Sequence, residues 1–495
     1  MERRTLGPDA DLGDSAMTNR YLEGEFAPVH QEYTLTDLEC TGRIPDHLDG
    51  RYLRNGPNPI GNVDPQRYHW FMGDGMVHGV RIRGGKAEWY RNRWVRGPQA
   101  RKALGESAPP RTLGPSLVGA NTNVVGHAGK TLALMEAGLS IYELTDELDT
   151  VGVCDFAGTL PGGYTAHPKH DPETGELHAV SYSVNRGNTV QYSIIDVNGR
   201  ARRTVDIEVT GSPMMHDFSL TERHVVFYDL PVTFDTRVAA DMAAPRALRR
   251  PARLLLSALV GRVHIPDPIA ARQPRAKSWD RRLPYSWNPK YPARVGVMPR
   301  EGDNADVRWF DVEPCFVFHP LNAYDQEDTI VLDVVRHPRM FDRERLAPND
   351  GTPTLDRWTV DLADGKVRES RFDDHGQEFP RVDERLVGKR HRYGYAPEFE
   401  DGLISTGTLL KHDFVAGRTQ TRSFGAEKAL GEFVFHPSSN QAAEDDGVLM
   451  GYVQDRAAGR TELAILDAET LQDVASIKLP HRVPTGFHGS WVSSS

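Results

Sequence analysis

The sequence predicts an all-β protein of the β-propeller kind, and three observations predict it. Short apolar or alternating runs separated by turns recur from about residue 50 to the end. No strand–helix alternation runs through them, which argues against a parallel α/β sheet. The 495 residues contain 45 Gly and 34 Pro, so the chain is rich in turns and favours short strands over long helices.

The individual hairpins carry the prediction. Val190–Val209 reads as a strand, a turn at Asp196-Val-Asn-Gly199, and a second strand. Leu139–Phe156 repeats the pattern around Thr145-Asp-Glu-Leu148, Trp358–Phe372 around Ala363-Asp-Gly365, and Glu462–Leu479 around Asp467-Ala-Glu-Thr470. Asp, Asn and Gly stand where the backbone reverses, because they tolerate turn conformations or hydrogen-bond within them. Four-stranded units set radially bury such hairpins without long open edges, and a propeller suits this length better than a sandwich. The repeat is too degenerate for a blade count.

One segment departs from the pattern. Ala243–Val263 interleaves Leu248, Leu254, Leu255, Leu256 and Leu259 with Arg246, Arg249, Arg250 and Arg253. It suits a helix lying in a membrane interface with arginines at the headgroups, and equally a surface helix packed on the propeller face. Pro245 and Pro251 limit its regularity.

Composition excludes other classes. The net charge of −10 argues against nucleic acid as a partner. Cys40, Cys154 and Cys315 are odd in number and scattered, which reads as reduced thiols in a cytoplasmic protein. Residues 1–18 are polar with no signal-peptide core and read as a disordered lead-in. No apolar run reaches the length of a membrane span.

Nineteen histidines are present, and four share a setting. His167, His216, His319 and His488 each follow an apolar or aromatic stretch and precede a turn or a new run, which would place each at the inner end of a blade strand. These contexts leave ordinary core or surface roles open for each. If the four converge, imidazole suits Zn, Cu, Fe or Ni, and a structural zinc site would be expected to recruit cysteine. Four neutral ligands leave the metal charge uncompensated, so carboxylates behind the rings are expected. Glu136, Glu378 and Glu432 sit in apolar runs and are candidates, although each also reads as a strand-end Glu facing water.

These motifs, together with Leu48-Asp-Gly-Arg-Tyr-Leu-Arg-Asn-Gly-Pro-Asn-Pro59, His69-Trp-Phe-Met-Gly-Asp-Gly-Met-Val-His78, Glu378-Phe-Pro-Arg381, Glu444-Asp-Asp-Gly447 and Gly486-Phe-His-Gly489, resemble the carotenoid cleavage oxygenases from about Asn19 to Trp491. The resemblance implies a single domain over 19–495: a seven-bladed propeller with a helical and loop dome over one face, the dome insertion including about 236–290. It implies one Fe(II) per chain on the axis, held by His167, His216, His319 and His488, with Glu136, Glu378 and Glu432 behind them and no organic cofactor. It implies O2 and a carotenoid or apocarotenoid polyene as reactants, giving two carbonyl products, with a central bond (15,15′ or 13,14) as the expected cut. Trp94, Met135, Phe318 and Phe487 are expected to line the substrate tunnel, with core packing as the alternative for each. The resemblance also implies peripheral contact with the inner face of the cell membrane through Leu254, Leu255, Leu256 and Leu259. A stilbene-cleaving enzyme of the same fold, an isomerohydrolase and a non-catalytic binding propeller are the competing readings. Stilbene cleavers carry Lys where this chain has Met135. Asp74 and His78 read as parts of a strand and turn.

Overall fold

The computed structural model describes residues 19–107, 119–160, 163–264, 282–343, 345–346, 350–400 and 402–494. The lead-in 1–18 and residues 265–281 of the expected dome lie outside them. Seven antiparallel sheets succeed one another along the chain and form the blades. The expected hairpins are all present, for example Thr189–Ile195 with Ala201–Glu208 and Thr354–Asp361 with Lys366–Asp373.

The ring closes by exchanging its two ends. The C-terminal strand Gly489–Ser493 pairs with Gly50–Pro57 and so joins the first blade. The N-terminal strand Cys40–Gly42 pairs with Asp473–Leu479 of the last blade. The first and last blades are thus each completed by a strand from the opposite end of the chain. Leu48, Tyr52, Val80, Ile465 and Ile477 pack at this junction and are buried.

The strands 123–127, 169–170, 218–220, 316–326 and 489–493 come from five blades and line one axial cavity. A two-stranded ribbon, Val232–Phe234 with Tyr285–Trp287, leaves the fourth blade and carries two of the three α-helices found among the described residues. These are α1 (Pro98–Ala103), α2 (Thr236–Ala243) and α3 (Arg249–Leu259). Asp235 caps α2 by accepting hydrogen bonds from the N–H groups of Arg237 and Val238. Pro251 sits in the first turn of α3, where its missing N–H has no helical partner to lose, so it does not break the helix. Pro245 stands ahead of the 3₁₀ turn Arg246–Leu248.

Helix α3 buries none of its residues. Leu254 and Leu255 are 74% and 61% exposed. Leu256 and Leu259 are only half-exposed, since that side of α3 faces α2. Of the four leucines expected to face outward, Leu254 and Leu255 are the most exposed, and Leu248 joins them. Among the described residues, no helix is long and apolar enough to cross a membrane. The three cysteines are free.

Candidate metal centre

His167, His216 and His488 stand one or two residues before the strands that line the axis, at Lys169, Phe218 and Gly489. His319 is different, because it lies inside the strand Phe316–Gln326. The register there breaks between Val317 and Pro320 and again between Pro320 and Asn322. Pro320 has no N–H for the ladder, and the bulge lets Phe318 and His319 border one cavity where regular alternation would put them on opposite faces. The four imidazoles converge so that their ligand nitrogens all lie within 4.8 Å of one another, and all four residues are buried.

Three of the rings are held from behind by the three expected glutamates. His216 Nδ1–H donates to Glu136 at 2.8 Å, His319 Nδ1–H to Glu378 at 2.5 Å, and His488 Nδ1–H to Glu432 at 3.0 Å. A proton on Nδ1 leaves the Nε2 lone pair free. His216 Nε2 and His319 Nε2 then face each other at 3.2 Å with no proton to share. His167 Nε2 is buried and has no hydrogen-bond partner among the described residues. Inward lone pairs backed by carboxylates fit a divalent cation, and nitrogen donors without a thiolate fit iron.

The carboxylates are themselves fixed. Glu378 accepts a second bond from His337 Nε2 at 2.6 Å and one from the Phe379 N–H. Glu432 accepts from Arg381 Nη1 at 3.2 Å and the Gly489 N–H at 2.8 Å. Glu136 accepts from the Tyr182 hydroxyl at 3.0 Å. Burial alone would raise the Glu378 carboxyl, but His319 and His337 hold it well below the usual carboxylate range. Against the same effect of burial, Arg381 and His488 bring Glu432 down to about 2. Burial lowers His319 to about 4 and, with the neighbouring imidazoles, holds His167 well below the ordinary value. At His216 burial opposes the charge, yet Glu136 outweighs it and raises the pKa. His167 has no glutamate, and its nearest carboxylate is Asp217 at 3.9 Å, which is paired with Lys169.

Two cavities meet at the imidazoles. On the dome side an apolar cavity of about 300 Å³ borders His216, His319 and His488, and Ala239, Met242 and Ala243 of α2 form part of its wall. Met135, Phe318 and Phe487 line it, as do Trp70, Phe71 and Phe379. Trp94 does not, which corrects its expected place. It ends an outer strand of the first blade, with Gly75–Arg83, Gly50–Pro57 and Gly489–Ser493 between it and the axis, and its indole N–H donates to the Asn58 carbonyl. On the opposite side a polar axial cavity of about 530 Å³ borders His167, His319 and His488. Asp74 accepts from the Ile60 N–H and His78 pairs with Tyr90, in keeping with a structural role for their motif.

Sequence reasoning missed His337, Tyr182, Asp217 and the wall residue Phe379. Phe379 has φ of 54°, a left-handed conformation that a non-glycine residue adopts only under constraint from its surroundings. Its ring stacks on His319 at 5.4 Å. Nothing local in the sequence signals such a backbone.

A seven-bladed propeller with four imidazoles on its axis, three of them backed by glutamates, and an apolar cavity beside them defines a protein built to hold a metal ion next to an apolar ligand. The family model described as retinal pigment epithelial membrane protein matches residues 26–493, and the chain belongs to that family, the carotenoid cleavage oxygenases. A carotenoid cleavage oxygenase of Mycobacterium tuberculosis is 59% identical over 96% of this chain and 98% of its own. A carotenoid 9,10(9′,10′)-cleavage dioxygenase of Arabidopsis thaliana is 31% identical over 97% and 91%. Among solved structures, the Pseudomonas brassicacearum lignostilbene dioxygenase matches with a TM-score of 0.80 and 25% identity, over 97% of this chain and 100% of its own.

Proposed function

We propose that this protein uses one Fe(II), held by His167, His216, His319 and His488, to cleave a carbon–carbon double bond of a carotenoid or apocarotenoid with O2. The observation that carries the reading is the apolar cavity bordering three of the four imidazoles. Bound ferrous iron would supply the redox chemistry by which O2 reacts with the double bond. The balance is simple: one C=C breaks, both oxygen atoms end in the two new carbonyl groups, and no external reductant is consumed. Glu136, Glu378 and Glu432 keep the rings oriented and neutralise charge. Met135, Phe318 and Phe487 exclude water and hold the polyene so that one bond lies beside the centre.

The described residues lining this cavity include no lysine or arginine. A hydrocarbon chain needs none, whereas a phenolate buried there would be left without a cation. That favours the polyene over the stilbene named for the Pseudomonas structure. Central cleavage (15,15′ or 13,14) and the 9,10 cut named for the plant relative are distinguished by product length. For delivery of a membrane-dissolved substrate, the exposed Leu248, Leu254 and Leu255 beside Arg250 and Arg253 suit peripheral contact with an anionic lipid surface.

The test is to quantify iron in the purified protein and incubate it with carotenoids, apocarotenals and hydroxystilbenes, with products read by mass spectrometry. About one iron per chain and paired carbonyl products from a polyene are expected. Products from stilbenes alone would replace the substrate class, and iron without any cleavage would turn the reading toward isomerisation or binding.

A further inference from the structure

His488 is presented by a connecting segment and not by a strand. The nine residues between Leu479, which ends the last blade, and Gly489, which begins the closing strand, contain no helix or strand. A ligand on such a segment needs anchoring from elsewhere. We propose that Arg54 and Asn55 are positioning residues that clamp this ring-closing segment and set His488 in the metal cage. The proposal rests on the four-histidine metal reading and assigns a role to the Arg54-Asn55-Gly56 part of a motif that the metal site itself does not use.

Asn55 is a hub for three segments. Its backbone N–H donates to the His488 carbonyl at 2.9 Å, and its carbonyl accepts from the Phe487 N–H at 3.0 Å. Its side-chain amide donates to the carbonyls of Ala120 at 3.1 Å and Asn123 at 3.0 Å, which lead into the second blade. Its amide oxygen accepts from the Gly56 N–H at 2.9 Å. Asn55 is fully buried with both amide donors and its amide oxygen bonded. The His488 N–H donates in turn to the Thr122 carbonyl at 3.2 Å, so the ligand backbone is held from the first and second blades at once.

Arg54 fastens the same segment from beneath. Its guanidinium donates to the Pro484 carbonyl at 2.6 Å and lies 5.8 Å from the Tyr452 ring centroid. It is 5% exposed, and among the described residues it forms no salt bridge to any carboxylate. A buried cation left without an anion is costly, which points to a requirement for its position. The glycines around it record how close the approach is. A Cβ on Gly486 would collide with Arg54 Nη1, one on Gly56 would lie 2.7 Å from the Gly486 Cα, and one on Gly489 would lie 2.5 Å from the Leu53 carbonyl oxygen. The two glycines of Gly486-Phe-His-Gly489 are thus what allows the segment to lie against the clamp.

A positioning role differs from a structural one in a measurable way. Co(II) is titrated into the apo forms of the full-length wild type, Asn55→Ala, Arg54→Lys, His488→Ala and the double variant Asn55→Ala/His488→Ala, following the visible d–d bands and the dissociation constant. Ile330→Val, in the core of the fifth blade, serves as a control that lowers stability without touching the clamp. Asn55→Ala and Arg54→Lys are expected to weaken Co(II) binding roughly 10-fold or more and to alter the band pattern. Ile330→Val is expected to lower only the melting temperature. In the His488→Ala background, Asn55→Ala is expected to add no further loss, because its effect runs through His488. Should Asn55→Ala not fold, Arg54→Lys decides the matter in the same assay, again with and without His488. Unchanged affinity and spectrum in the folded clamp variants, or an equal loss with and without His488, would overturn the clamp. If His488→Ala itself left Co(II) binding unchanged, the four-histidine reading would fail instead.

Discussion

Individual side chains decide how firmly the metal cage is built and what it accepts. Glu378 bridges His319 and His337 at 2.5 and 2.6 Å, so Glu378→Gln loses both charge-assisted bonds in one change. Iron affinity is expected to fall about 10- to 100-fold, read by metal titration of the apo-protein, while the far-ultraviolet circular dichroism stays that of a β protein. Met135 lies 6% exposed in the apolar cavity directly before Glu136. Met135→Lys puts an ammonium group where the wild type offers only hydrocarbon. The ratio of polyene to hydroxystilbene turnover is expected to fall in this variant, and an unchanged ratio would show that this position does not read the substrate.

At the scale of the element, the dome helices separate stability from delivery. Leu254 and Leu255 are mostly exposed and add little to the core, yet they form an apolar face on a helix that also carries Arg250 and Arg253. Leu254→Ser/Leu255→Ser is expected to leave the melting temperature within a degree or two, as surface changes generally cost under about 0.5 kcal/mol. Its binding to anionic vesicles in a sedimentation assay is expected to drop by about 10-fold or more, since full burial of each leucine stabilises by roughly 1.5–3 kcal/mol. Equal sedimentation of both proteins would remove α3 from the delivery step. The hairpins behave differently, because their inward side chains are core and their turns are surface.

Across the whole molecule, stability depends on buried ion pairs between blade strands as well as on the closed ring. Asp333 is fully buried, accepts two bonds from Arg357 at 2.8 and 2.9 Å, and stands 3.2 Å from His391. Burial would raise its carboxyl, but His391 and Arg357 outweigh it and hold the pKa below 3.8. A carboxylate with a lowered folded-state pKa stabilises fully above its unfolded value, and this contribution is lost as pH falls through the folded value. The melting temperature is therefore expected to fall as pH drops below about 4, and the fall is expected to be shallower in Asp333→Asn. That variant leaves Arg357 without its buried partner and is expected to lose about 3–5 kcal/mol at neutral pH by denaturant unfolding. A variant as stable as the wild type would show that the pair is replaceable.

The sequence by itself determined the strand-and-turn pattern, because hairpin reversal is a local matter of Asp, Asn and Gly in tight turns. It also carried the identity of the four histidines and three glutamates, through motifs whose order resembles a known family, although spacing alone left their roles open. Tertiary structure decided what depends on distant segments meeting. The bulge at Pro320 turns His319 toward the axis, and the left-handed backbone of Phe379 is held by contacts its neighbours in sequence do not reveal. His337 becomes a partner of Glu378 only when the fifth blade faces the sixth. Trp94 was misplaced because aromatic content marks burial but not which strand of a blade lies nearest the axis. The lower exposure of Leu256 and Leu259 relative to Leu254 and Leu255 was not legible either, because helical periodicity gives a face and not the neighbour beside it. Asn55 shows the same limit most clearly, since its bonds join residues 55, 120, 123, 487 and 488, which only the closed ring brings together.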